Sequence, residues 1–137
     1  MLSRLIPVYQ LPYLRSHPLA ACVSFGLGLS GIISMASPSL VSDSVVALVF
    51  PHLVFYLFSM VWALGGGMAW IGIVRGHRSV EAGGSALLAG GLLVYFAAVV
   101  SVRSTSAVAA IFIFCLACGY GLRAHHLATC GYDGIPR

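Results

Sequence analysis

Long apolar runs separated by short polar interruptions dominate this chain. The longest, Ser44 to Val74, holds no Asp, Glu, Lys or Arg and lies between Asp43 and Arg75. As one α-helix it would be about 46 Å long at 1.5 Å per residue, more than a hydrocarbon core of about 30 Å requires. Pro51 divides the run, because proline is tolerated in a first helical turn and disruptive further in. From Pro51 to Val74 the helix would be about 36 Å, a spanning length with some tilt. A soluble domain of this size could not hide such a run, so lipid is the expected solvent.

The same reading predicts spans at about 18–36, 44/51–74, 82–102 and 106–122. The expected fold class is an all-α, integral membrane four-helix bundle with both termini inside. The domain limits are an interfacial segment over 1–17, a four-helix transmembrane domain over 18–124 and a short polar tail over 125–137. Pro7 and Pro12 prevent one continuous helix in the first segment, and Tyr9 and Tyr13 suit the headgroup region. Its two arginines without acids also resemble a mitochondrial presequence, although with the chain starting at Met1 no cleaved leader is expected. The triplet Gly65-Gly66-Gly67 predicts a kink or a close helix crossing in the second span, since each glycine weakens a helix by about 1 kcal/mol relative to alanine.

Composition sharpens the class. The 137 residues are 60% hydrophobic and 7% charged, against roughly 25% charged in a soluble domain. All seven basic residues are arginine and are thinly spread, so no nucleic-acid footprint is present. With the N-terminus inside, Arg4, Arg15, Arg75, Arg78, Arg123 and Arg137 share the inner side and only Arg103 lies outside. That asymmetry sets the orientation, with Arg15, Arg75, Arg78 and Arg123 nearest the span ends, and it requires an even number of spans.

Candidate chemistry is sparse. None of the four predicted spans contains an acid, Lys or Arg, which counts against ion-coupled transport and acid–base catalysis at membrane depth. The expectation is therefore a non-enzyme without cofactor or metal. His52 is the one histidine in an apolar run, and a second haem ligand at its depth is lacking, because His17, His77, His125 and His126 map to the opposite side. Those four with Cys130 include good zinc ligands, but no pair has motif-grade spacing. Cys115 and Cys118 form a CxxC inside an apolar helix, where thiol reactivity is suppressed and small-residue packing is expected. The glycine triplet lacks the Lys and Ser/Thr register of a phosphate loop.

Small residues carry the most information. Ser24 and Gly28 in the first span, Gly65, Gly66 and Gly67 in the second, Ala86 and Gly90 in the third, and Ala117 and Gly121 in the fourth let helix backbones approach closely in lipid. Together with an aromatic face of Phe55, Phe58 and Trp62 they offer more contact surface than one bundle consumes. Expected partners are membrane lipid and further copies of the chain or a larger membrane complex, with no nucleic acid.

Residues 78–83 (RSVEAG), 85–100 (SALLAGGLLVYFAAVV) and 107–127 (AVAAIFIFCLACGYGLRAHHL) resemble a group of small four-span membrane proteins of actinobacterial phages. In these a basic loop leads into a V-E-A-x-G-x-x-L-L turn and the last span ends in small residues followed by R-A. The resemblance covers about residues 70–127, and the first half matches only in layout. It implies a holin-like protein that accumulates in the bacterial inner membrane and permeabilises it during lysis. The nearly uncharged, histidine-rich tail departs from the charged tail of many holins. From another class, a non-catalytic accessory subunit of a respiratory or other energy-transducing complex, bacterial or mitochondrial, fits the same residues.

Overall fold

The computed structural model describes residues 17–37, 51–101 and 107–129. Residues 1–16 with Arg15, most of the first loop, the 103–105 turn and residues 130–137 with Cys130 lie outside the described residues. Among the described residues there are four helices: α1 (Pro18–Ala36), α2 (His52–Arg75), α3 (Arg78–Ser101) and α4 (Ala107–Thr129). Each is long and apolar enough to cross a membrane. Large apolar side chains are exposed on all four, among them Leu19, Leu53, Val100 and Phe112, as expected where the surrounding solvent is lipid. The chain is an all-α membrane protein built as a four-helix bundle.

Each helix packs antiparallel against its neighbour in sequence. Between α1 and α2 the approach is backbone on backbone. A Cβ added to Gly31 would stand 2.5 Å from the amide nitrogen of Ala63, and one on Gly66 would run into Gly28 and the carbonyl of Ser24. Between α2 and α3, Gly84 meets Ala69 in the same way, and Gly65 lies against Leu87 and Leu88. Ala69, Leu88, Leu92, Ala117 and Tyr120 form the core, flanked by Val23, Leu27 and Trp62. Dispersion between closely fitted surfaces holds such a bundle, because lipid tails are as apolar as leucine.

The first span begins and ends where its sequence predicts, with a proline in its opening turn and Ser37 capping the carbonyl of Ile33 at 2.8 Å. Pro51 stands at the N-cap of α2, and α2 runs through the glycine triplet as unbroken α-helix. It stops because Gly76 takes the left-handed conformation, φ 68°, which a residue with a side chain adopts only under strain. Just Gly76 and His77 separate α2 from α3.

Two boundaries differ from the expected ones. Helix α3 starts at Arg78 rather than residue 82, and α4 continues to Thr129 rather than ending at 122. Glu81 and Arg123 therefore lie within helices, which corrects the expectation of spans free of acid and arginine. The physical reason is that the two charges meet each other, so neither needs a solvated loop.

Candidate functional site: a buried polar clasp at one end of the bundle

Glu81 sits in the first turn of α3, where a negative charge suits the positive end of the helix dipole. Its place is set by α2. The turn at Gly76 folds α3 back so closely that a Cβ on Gly72 would stand 2.5 Å from the Glu81 amide nitrogen. That contact closes the α2 side of Glu81, whose side chain is fully buried. From α4, Arg123 donates through Nε at 2.8 Å and through Nη2 to the same carboxylate oxygen, Oε1. Arg123 retains 20% exposure. Burying a lone charge costs several kcal/mol, roughly 3–5 when one partner of a buried pair is removed, so each residue requires the other.

One turn nearer the bundle centre, Ser24 Oγ of α1 and the Tyr120 hydroxyl of α4 share a hydrogen bond of 3.0 Å, both residues being buried. Ser85, one turn beyond Glu81 on α3, is fully buried, and its hydroxyl has no hydrogen-bond partner. His17 precedes α1 at the same end. Partial burial, and next the Arg123 charge, hold its imidazole below the ordinary 6.5, while Glu81 pulls it the other way. The clasp thus joins α1 to α4 and α3 to α4, with α2 supplying the wall behind Glu81. Chemically it is a closed ion pair with a hydroxyl pair beside it, suited to fixing helix register.

The residues singled out from sequence fall into two groups. Ser24, Gly28, Gly65 and Gly66 are buried at helix crossings, and Ala117 is in the core. Ser24 has the further role of bonding Tyr120. Phe58 stacks on Tyr95 of α3 and Trp62 meets the same ring edge-on, with centroids 6.1 and 5.6 Å away, and Phe55 is buried beside Tyr56. By contrast, a Cβ on Gly67 or Gly90 would meet nothing within 4 Å, and one on Gly121 would only graze Ala89 at 4.0 Å. Ala86 and Gly90 are exposed and floor a groove of about 610 Å³ between α2 and α3, walled by Val54, Leu57 and Val61. Arg75 is exposed, Arg78 is half-buried, and both lie at the clasp end with Arg123.

Glu81 and Tyr120 were not among the residues selected from sequence. The signal for Glu81 was available: Glu81, Gly84, Ser85, Leu88 and Leu92 recur at helical spacing on one face. Cys22, Cys115 and Cys118 are free and exposed. Among the described residues, no three His, Cys, Asp or Glu side chains gather where a metal could bind. Comparison of the chain with protein families, with curated proteins and with solved structures gives no match.

Proposed function

We propose that this is a non-catalytic membrane protein that self-associates within the bilayer and, in a holin-like manner, permeabilises a bacterial cytoplasmic membrane during phage lysis. The observation that carries the reading is the α2–α3 groove. Gly28 and Gly31 of α1 and Gly65, Gly66 and Gly72 of α2 are already engaged at internal crossings, whereas Gly83, Ala86 and Gly90 line an outward groove of about 610 Å³. Small-residue surfaces of this kind admit the backbone of another helix. Helix α4 supplies apolar ridges, with Val108, Ile111, Phe112 and Leu122 all more than 60% exposed. A ridge on one copy meeting a groove on the next is a head-to-tail contact, which propagates into rings or arrays instead of stopping at a dimer.

The clasp supports a structural role. Its carboxylate is sealed and matched by an arginine, so it holds helices and offers no acid to a substrate.

The test is to express the chain in a bacterium, follow membrane potential against protein density, and extract the protein gently. Collapse of the potential above a threshold density, with a homo-oligomer in the extract, is the expected result. An unaltered potential at high density overturns the reading. Co-migration with large cofactor-bearing subunits would assign the chain as an accessory subunit instead.

A further inference from the structure

We infer that the crevice between α1 and α4 binds an anionic phospholipid, with an acyl chain between the helices and the phosphate at Arg123. Helices α1 and α4 are not neighbours in sequence, and they part at the clasp end to leave a crevice of about 210 Å³. Leu19, Ala20 and Val23 form one wall and Leu116 and Gly119 the other, with Tyr120 and Arg123 at its polar end. The lining is otherwise apolar, with Cys115 the one thiol, so water gains little there, and exposed Leu19 and Gly119 leave it open toward lipid. Its volume is below the roughly 300–1,000 Å³ of a pocket that swallows a ligand whole, and suits a segment of chain entering from the side.

Charge selects the headgroup. Glu81 is completely sealed, whereas Arg123 keeps 20% exposure and lines the crevice, so the ion pair presents its cationic partner there. A guanidinium has five N–H donors, and the two bonds to Glu81 leave others for a phosphate oxygen. Arg75 and Arg78 lie at the same end of the bundle, and Glu81 is the only acid among the described residues. A basic site between helix ends is the arrangement that holds anionic headgroups. A zwitterionic headgroup would bring a second cation to the arginine.

The test uses native mass spectrometry of the full-length protein in detergent with added phosphatidylglycerol or phosphatidylcholine of identical acyl chains. The wild type is expected to retain one phosphatidylglycerol per chain, with about fivefold preference over phosphatidylcholine, the ratio one basic group near a membrane surface gives. Gly119→Leu fills the crevice, and a Cβ there meets nothing within 4 Å, so the variant folds while losing the bound lipid. Replacing Glu81 and Arg123 together by glutamine keeps polar contact without charge and should retain both lipids alike. Equal retention of the two lipids by the wild type, or retention by Gly119→Leu at the wild-type level, overturns the assignment.

Discussion

Glu81 and Arg123 are 42 residues apart in sequence, and one carboxylate oxygen of the first accepts both Nε–H and Nη2–H of the second. The pair ties the beginning of α3 to the later part of α4. It is sealed on the carboxylate side and partly open on the guanidinium side. Removing Arg123 leaves the carboxylate buried alone, and removing Glu81 leaves a mostly buried guanidinium without its partner. Glu81→Ala and Arg123→Ala should each lose about 3–5 kcal/mol of stability, measured by reversible unfolding in mixed micelles. Replacing both by leucine should recover most of that loss. Single variants as stable as the wild type would show that the pair does not hold the fold.

The Ser24–Tyr120 bond predicts a smaller effect. Tyr120→Phe should cost about 0.6 kcal/mol and no more than about 1.7, the range for hydrogen bonds between membrane helices. Ser85→Ala has the opposite sign: its buried hydroxyl has no partner, so removing it should leave stability unchanged or raised. The same unfolding measurement distinguishes the two.

Glycines divide by what lies beyond them. Gly66→Ala would press a methyl into the Gly28 backbone and should cost about 1–3 kcal/mol. Gly67→Ala, its immediate neighbour, meets nothing within 4 Å and should gain up to about 1 kcal/mol in helix propensity. If both substitutions behaved alike, the α1–α2 crossing would be wrongly placed.

Filling the outer groove should separate assembly from folding. Gly90→Leu adds bulk where no atom of the same chain stands. Monomer stability should be unchanged while the oligomer seen in gentle extraction is lost. An oligomer that survives Gly90→Leu would place the contact elsewhere.

His17 gives the pH dependence. Burial first, and then Arg123, lower its folded-state value below 6.5, so the folded protein binds fewer protons than the unfolded chain. Stability from this group is then highest above pH 6.5 and declines as pH falls through that value into the lowered range. Thermal unfolding in detergent should show a lower midpoint at pH 5.5 than at pH 7.5, and His17→Gln should reduce the difference.

Most of the architecture was legible because spanning a bilayer demands length and apolarity, and both are written in the residue string. The position of Pro51 followed from proline chemistry, and the limits of α1 from the extent of its apolar run. The clasp was not legible, because a charged residue near an apolar run reads as the end of that run unless its partner is known. Glu81 and Arg123 shortened the expected α3 and α4 for that reason. The rings of Phe58 and Trp62 could likewise be placed on one face of α2, but only the fold shows that this face meets Tyr95. The outer groove lies between these extremes, since Ala86 and Gly90 were recognisable as small, while their exposure depends on where α2 comes to rest.

The two-residue link of Gly76 and His77 lets the ends of α2 and α3, Arg75 and Arg78, stand at most about 11 Å apart. A tether that short leaves α2 and α3 no independent travel, and they behave mechanically as a single lever. Helix α4 packs on that lever as closely as α2 packs on α1, through Ala117 and Tyr120 against Leu88 and Leu92 and through Phe114 against Phe96, and it reaches α1 by the Ser24–Tyr120 hydrogen bond. The seam between α1 and α4 is the sparsely bridged one, so a rearrangement that kept the central hairpin intact would open there.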